Sequence, residues 1–119
     1  MVPQDAVKQL EGAERMAVAT VTTFQVRPGR NVEFMAQVAE GKKNHERLGG
    51  RVRVWMSTFA GPNAGQAIYV IEHKDLAAYA SFSQKMEADP AWQAFVAKVF
   101  TGDPTGTLVG QSLVTEVTP

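Results

Sequence analysis

Apolar positions along the first half of the chain change their spacing from a strand-like to a helix-like pattern. Residues 17–26 (AVATVTTFQV) are rich in β-branched side chains, which favours a β-strand, and the R-P-G sequence at 27–29 ends it. From Arg30 apolar residues recur three and four positions apart, which predicts an amphipathic helix of about eighteen residues ending at Gly49-Gly50. Its predicted apolar face consists of Val32, Met35, Ala36 and Ala39, widened by Phe34 and Val38.

The second half of the chain predicts a hairpin, two helices and a last strand. Asp75 is a predicted N-cap, and Asp89 caps the next helix with Pro90 at its first position. Two β-rich runs joined by a short Gly- and Pro-containing segment are typical of a hairpin. The predicted elements are a strand at 51–59, a turn at 61–65, a strand at 66–73, a helix from 76 to about 87, a helix from 90 and a strand at 107–117.

The element order β-α-β-β-α-(α)-β predicts an α+β fold. This order matches the ferredoxin-like split βαβ arrangement, with a four-stranded antiparallel sheet. Right-handed crossovers then place the helices on one face of the sheet. We expect residues 16–119 to form a single domain and residues 1–15 to form an N-terminal extension.

The sheet face opposite the helices is also predicted to be apolar. Alternate strand positions there include Trp55, Phe59, Ile68 and Val70, and the first strand has apolar or small residues on both of its sides. A sheet that is apolar on both faces needs a second cover. A homodimer that packs sheet on sheet would supply it. The alternative is that the N-terminal segment folds back over this face.

Composition removes several function classes. The 119 residues include 12 Lys plus Arg and 12 Asp plus Glu, a formal charge of zero, so we expect no nucleic-acid partner and no binding to an anionic membrane. With no cysteine, disulfides, thiolate metal sites and a cysteine nucleophile are excluded. Residues 1–15 lack the apolar stretch of a signal peptide, and no apolar run is long enough to span a membrane. The predicted location is cytoplasmic.

Four short motifs occur in an order and spacing that are typical of one branch of a known fold. They are R-P-G at 27–29, G-P-N-A-G at 61–65, D-L-A-A-Y at 75–79 and D-P-A-W-Q-A-F at 89–95. From about Met16 to Val117 the chain resembles the dimeric α+β barrel proteins, and among them the NIPSNAP-like branch. The resemblance implies a ferredoxin-like protomer and a homodimer whose two sheets pack into a barrel. The wider superfamily includes cofactor-free monooxygenases, haem-degrading enzymes, lactone isomerases and polyketide cyclases, but none of their catalytic motifs occurs here.

The resemblance also implies a small-molecule pocket between helices and sheet, and His73 and Tyr69 are the predicted catalytic residues in it. Tyr69 would orient a hydroxyl or carbonyl group, and His73 would move a proton. The alternative for His73 is a strand-end side chain in solvent or at the start of the helix after Asp75. We interpret His45 as part of a solvated helix end, where a cation suits the helix dipole.

Arg53, Trp55 and Trp92 are the predicted ligand-binding residues. Arg53 could hold an anion together with Arg51, or could simply belong to a charged edge strand in which it pairs with Glu72. Both tryptophans have an alternative place in a core or an interface. The two histidines lack H-x-x-x-H spacing, and G-x-G-x-x-G, P-loop and G-x-S-x-G motifs do not occur, so we expect neither metal nor cofactor.

Two functions follow from these observations. The first is binding or conversion of a small hydrophobic molecule by cofactor-free oxygenation, isomerisation or cyclisation. The second is a non-catalytic homodimeric interaction or sensing module. The presence of an open cavity distinguishes the two functions, because an enzyme needs one. The module would fill that volume with its own side chains, namely Phe34, Met35, Phe82, Trp92 and Phe95.

Overall fold

Seven elements form in the predicted order within the part of the chain that the structure describes. The computed structural model describes residues 16–58, 61 and 64–119. The predicted extension at 1–15, Phe59 and the centre of the predicted turn at 61–65 lie outside the described residues. The elements are β1 (Val18–Val26), α1 (Asn31–Arg47), β2 (Arg51–Met56), β3 (Gln66–His73), α2 (Leu76–Ala88), α3 (Pro90–Val99) and β4 (Gly106–Thr115).

The four strands form one sheet in the order β2-β3-β1-β4, and every neighbouring pair is antiparallel. β1 and β2 therefore run in the same direction with β3 between them, as do β3 and β4 with β1 between them. This is the split βαβ arrangement. α1 packs against β2, α2 against β3, and α3 against α1 and α2. The predicted α+β, ferredoxin-like fold is confirmed.

Local signals for helix ends are confirmed at the predicted residues. The Asp75 carboxylate accepts a hydrogen bond of 2.8 Å from the backbone of Ala78, which satisfies one free N–H group of α2. Asp89 does the same for Trp92 at 2.8 Å, and Pro90 opens α3. Gly49 adopts φ +106° after α1, a left-handed conformation that side chains disfavour.

The inward face of α1 differs from the predicted one. Phe34, Gly41 and His45 are its buried residues, with Val38 packed against the core. Phe34 and Val38 of the predicted apolar face lie on the inward side as expected, whereas its other four residues are exposed, and Val32 keeps 86% of its surface accessible. The prediction was wrong for these four residues because Gly41 and His45 were counted as non-core residues, which shifted the predicted stripe around the helix axis. The exposed set comprises Val32, Met35, Ala36 and Ala39.

The hairpin register also differs from the predicted one. Glu72 lies opposite Arg51, and Arg53 lies opposite Val70, so the expected Arg53–Glu72 cross-strand pair is wrong. The strands pair as far as Ser57, whose backbone N–H donates to the carbonyl of Gln66 at 2.9 Å. The observed pairing of β2 with β3 is thus shifted by two residues from the predicted register. Glu72 still lies diagonally near Arg53, with 3.9 Å between Oε1 and Nε.

β4 contains one residue more than β1 over their pairing. The register runs without interruption from Val18–Thr115 to Thr23–Gly110 and then shifts, so that Phe24 pairs with Leu108. A bulge of this kind leaves one residue, here Val109, without a cross-strand partner and changes which residues share a face. Leu108 and Gln111 consequently lie on the helix-covered face together.

The core consists of two clusters on the helix-covered face of the sheet. Phe24 and Val38 pack against both clusters. The larger cluster contains Leu48, Val52, Tyr69, Ile71 and Phe82, and the smaller one contains Val26, Phe34 and Ala67. Burial of this apolar surface is the main source of stability. Within the described part of the chain, no helix is both long and apolar enough to cross a membrane.

The opposite sheet face has no helix on it within the described chain. Trp55 is 53% exposed on this face, and Val114 is 45% exposed. Ile68 and Val70 on the neighbouring strand are half-buried. The face therefore has the apolar character that the strand patterns predicted, and the homodimer inferred from it stays a prediction.

Candidate functional site

A cavity of about 320 Å³ lies between the helices and the sheet. It receives side chains from all three helices, from three strands and from the segment between α3 and β4. Aromatic rings make up much of its wall, and among the described residues that line it there is no Asp, Glu, Lys or Arg. The cavity therefore suits an uncharged, mainly apolar molecule. Its rings are Phe24, Phe34, Tyr69, Tyr79, Phe82, Trp92, Phe95 and Phe100.

His45 and Tyr69 form the most buried polar contact of the cavity wall. Nδ1 of His45 lies 2.6 Å from Oη of Tyr69, and both side chains line the cavity. The distance is in the range of an O–H donor and shorter than usual for an N–H donor. We therefore assign the Tyr69 hydroxyl as donor and Nδ1 of His45 as acceptor. The imidazole ring also packs against Trp92, with 4.2 Å between ring centroids.

Burial keeps both members of this pair neutral. Burial, and secondarily the nearby His73, lower the pKa of His45 to about 4. Burial, and secondarily the charge of Glu46, raise the pKa of Tyr69 above its ordinary value. Near neutral pH the site thus presents an uncharged imidazole and an un-ionised phenol. Such a pair can hold a ligand oxygen and pass a proton without a permanent charge in the apolar wall.

His73 lies at the end of β3 and is only 2% exposed, so it is not the solvent-exposed strand-end residue of the alternative interpretation. Its ring packs against Phe82 at 4.7 Å and Tyr79 at 5.4 Å between centroids. Burial lowers its pKa. Nε2 is buried without a hydrogen-bond partner in the described structure, and His73 is not among the described residues that line the cavity.

Two further polar pairs line the cavity away from His45. The Thr105 hydroxyl donates to Oε1 of Gln37 at 2.6 Å, which leaves the amide hydrogens of Gln37 available. Nε2 of Gln111 donates to the Thr22 hydroxyl at 3.1 Å. Gln37 and His45 both belong to α1 and are eight positions apart in the chain, which is about 12 Å along a helix axis. The cavity therefore offers hydrogen bonds at separated points.

The cavity opens beside β4 and the segment before it. Phe100 and Leu108 line it and are each more than half exposed, which marks its entrance. An ionic cluster fixes this segment to the start of α1, because Asp103 pairs with both Arg27 and Arg30. Nη1 of Arg27 also donates to the Pro104 carbonyl at 3.1 Å. The segment that forms the entrance is thus held in place by ion pairs that lie outside the apolar wall of the cavity.

The structure places some of the predicted site residues together and separates others. Tyr69 and Trp92 line the cavity, with His73 behind two of its rings. Arg53 and Trp55 lie on the opposite face of the sheet, where the Arg53 guanidinium stacks over the Trp55 ring at 5.0 Å. They therefore do not belong to the same pocket as Tyr69. Their role as ligand-binding residues stays a prediction for that other surface.

His45 is a cavity residue that sequence reasoning had placed in solvent. Its neighbours Lys42, Lys43, Glu46 and Arg47 suggested a solvated helix end, yet His45 is only 6% exposed. The available signal was its spacing from Phe34, Val38 and Gly41 on one side of the helix. Across the described residues, no group of three or more His, Asp or Glu side chains is placed to hold a metal ion.

The chain matches a known protein family. The sequence model of the NIPSNAP family matches residues 19–109, which is most of the chain. The chain belongs to the NIPSNAP family. Comparison with curated protein sequences gives no significant match.

Solved structures similar to this NIPSNAP chain share its fold. An uncharacterised NIPSNAP domain protein from Burkholderia xenovorans is 19% identical with a TM-score of 0.64, over 86% of this chain and 94% of that chain. A NIPSNAP family protein of unknown function from Agrobacterium tumefaciens is 17% identical with a TM-score of 0.59, over 84% and 86%. A putative antibiotic biosynthesis monooxygenase from Bordetella bronchiseptica is 18% identical with a TM-score of 0.57, over 87% and 99%.

Proposed function

We propose that this NIPSNAP protein binds a small, uncharged, mainly apolar molecule between its helices and its sheet. The observation that carries the proposal is the neutral His45–Tyr69 pair, 2.6 Å apart, in the wall of an open aromatic cavity. The pair supplies a polar contact point, and the rings around it supply apolar contact area. A bound molecule would be held by its rings and oriented by one oxygen.

The cavity volume sets the size of this molecule. An apolar protein cavity of about 150 Å³ is known to hold benzene. The cavity here is about twice as large at 320 Å³, which suits a molecule of two fused rings. Open space of this size supports the ligand-binding function over a module that fills the same volume with its own side chains.

Proton transfer is the chemistry that the pair supports. Because the Tyr69 hydroxyl donates its hydrogen bond to Nδ1 of His45, a lone pair of Oη can accept a hydrogen bond from the O–H of a ligand enol or phenol. Transfer of that proton to Oη, with the Tyr69 proton moving to Nδ1, leaves an enolate or phenolate and an imidazolium. Return of the proton to another ligand atom completes an isomerisation or accompanies a cyclisation, whereas oxygenation requires dioxygen as co-substrate.

The low pKa of His45 restricts which ligands can react. With a pKa of about 4 the imidazole is a weak base, so it suits ligands whose own O–H group is acidic. Small-molecule chemistry on this fold is also indicated by the Bordetella bronchiseptica protein, a putative antibiotic biosynthesis monooxygenase. At 18% identity this agreement concerns the fold alone.

Calorimetric titration with 2-naphthol, a neutral two-ring phenol, tests the proposal. We expect saturable binding of one molecule per chain to the wild type and about three- to tenfold weaker binding to Tyr69→Phe, which loses one hydrogen bond. Val32→Ala, at an exposed position of α1 outside the cavity lining, is the control and should bind like the wild type. Absence of binding to the wild type, or equal binding by Tyr69→Phe, would contradict the proposal.

A homodimer through the open sheet face is a second proposal, and it is compatible with either catalysis or sensing. Exposed Trp55 and Val114, with half-buried Ile68 and Val70, give this face the apolar character of an interface. A second copy of the chain is the partner that such a face fits, because a two-fold axis pairs equal surfaces. The cavity lies on the other side of the sheet and stays accessible in this arrangement.

A further inference from the structure

Gly41 occupies the middle of α1 on the inward face of the helix. It is buried, it lines the cavity, and it precedes His45 by one helical turn. Glycine is one of the least favourable residues in a helix interior, because it loses the most backbone freedom on folding. Its presence at this position therefore calls for a compensating role.

Backbone conformation does not supply that role. The described glycines with positive φ lie in turns and at the end of α1, and Gly41 is not one of them. An alanine could adopt the same helical conformation. Gly41 thus makes no use of the conformational freedom that usually explains a glycine.

Close packing does not require the glycine either. A Cβ atom at Gly41 would lie 3.4 Å from the Phe95 ring and 3.9 Å from Oη of Tyr69. Both distances correspond to ordinary van der Waals contact, although the first is at its near limit. The wall of the cavity could therefore accept a methyl group at this position with little movement of Phe95.

What the methyl group would occupy is the space beside the Tyr69 hydroxyl. We infer that Gly41 is a specificity-determining residue, which keeps the cavity wide enough for a two-ring ligand at the point where its oxygen meets Tyr69. This inference rests on the proposed function. The residue would set the upper size of the ligand, because a side chain here takes volume from the ring that carries the oxygen.

The test compares two ligand sizes on Gly41→Ala. We expect the affinity for 2-naphthol, measured by calorimetry, to fall at least about fivefold, because a methyl group overfills the occupied cavity. Affinity for phenol, which has one ring, should change less than about twofold. The melting temperature of the unliganded variant should rise by roughly 2–5 °C, because alanine favours the helix.

Ala39→Gly is the matched control. Ala39 lies on the same helix, is exposed and is not among the described residues that line the cavity. We expect Ala39→Gly to lower the melting temperature and to leave 2-naphthol binding unchanged. The double variant A39G/G41A should melt near the wild-type temperature and still discriminate against 2-naphthol. This result would separate the effect of cavity width from the effect of helix stability.

Three results would overturn the inference, and they have different causes. Unchanged 2-naphthol affinity in Gly41→Ala, with binding to the wild type intact, would show that Gly41 does not limit ligand size. A lower melting temperature of Gly41→Ala would show that the glycine serves packing against Phe95. Absence of phenol and 2-naphthol binding to the wild type would remove the proposed function and this inference with it.

Discussion

The phenol oxygen of Tyr69, on β3, lies 2.6 Å from Nδ1 of His45, near the C-terminal end of α1. The contact joins the sheet to the helix across the wall of the cavity. It stabilises the neutral imidazole, because a protonated ring has no lone pair at Nδ1 to accept the phenol proton. Protonation of His45 would therefore weaken this contact between α1 and the sheet.

Removal of the phenol hydroxyl should raise the pKa of His45. In Tyr69→Phe the neutral ring loses its donor, so we expect the pKa of His45 to move upward from about 4. The variant should also lose about 1–2 kcal/mol of unfolding free energy, because Nδ1 stays buried without a partner. NMR titration of the two histidines measures the first effect, and urea unfolding measures the second.

Tyr79→Phe is the control for this change. Tyr79 lines the same cavity, and the described structure gives its hydroxyl no hydrogen bond. Its substitution should cost less than about 0.5 kcal/mol. A His45 pKa that stays constant or falls in Tyr69→Phe would mean that His45, and not Tyr69, is the donor.

Stability should fall in mild acid because His45 is buried in its neutral form. The folded pKa is lowered to about 4, whereas an unfolded histidine titrates near 6.5. Between these values the unfolded chain binds the proton and the folded chain does not. The unfolding free energy therefore decreases as pH falls from about 6.5 to about 4, by about 3 kcal/mol for this residue. Urea unfolding at several pH values measures the slope.

The contribution of His45 to this slope can be isolated. Burial lowers the pKa of His73 as well, so both histidines act in the same direction. Asp89 and Asp103, whose pKa values are lowered by hydrogen bonds from arginines, contribute at still lower pH. We expect His45→Gln to retain a smaller slope between pH 6.5 and 4. The same slope in wild type and variant would contradict the assignment to His45.

The strands, helices and caps of this chain follow from local sequence signals, but the site does not. Asp75, Asp89 and Gly49 mark helix ends through chemistry within a few residues, and the structure confirms each of them. The inward face of α1 depends on which side packs against the sheet, and Gly41 and His45 do not look like core residues without that packing. Tyr69 and His45 are 24 positions apart, so their contact exists only in the folded chain.

Neutralising Asp103 should loosen the entrance of the cavity and leave the core intact. Asp103 is exposed and accepts hydrogen bonds from Arg27 and Arg30, which hold the segment before β4. We expect Asp103→Asn to speed amide hydrogen exchange at residues 101–105, because fixed charges no longer restrain that segment. Exchange in β1 should stay unchanged. Mass spectrometry of peptide fragments measures both.

A second exposed ion pair provides the control for this experiment. Nζ of Lys98 lies 3.0 Å from Oε2 of Glu40, and this pair joins α3 to α1 without involving a residue of the segment at 101–105. Glu40→Gln should leave exchange at residues 101–105 as it is in the wild type. Equal acceleration in both variants would indicate a general loss of electrostatic stability, and would count against a local role of Asp103.

Charge on the open sheet face should dissociate the proposed homodimer. Sedimentation equilibrium of the wild type at micromolar concentration should give twice the chain mass of 12.9 kDa. We expect Trp55→Asp to sediment as a monomer, because a buried unpaired carboxylate is costly in an interface. Val32→Asp, on the exposed side of α1, should remain a dimer. A monomeric wild type would end the proposal.

The bulge between β1 and β4 changes which side chains of β4 face the cavity, while the pairing of the two strands continues on both sides of it. On the Thr22 side of the bulge, Gln111 faces the cavity, and on the Phe24 side Leu108 does so. If β4 paired with β1 without the bulge, Phe24 would lie opposite Val109 and Val26 opposite Thr107, so that Val109 and Thr107 would face the cavity side in place of Leu108. A relative whose β4 pairs without the bulge would therefore present a threonine on the side where this chain presents Leu108. Selectivity at the entrance would then evolve independently of foldability.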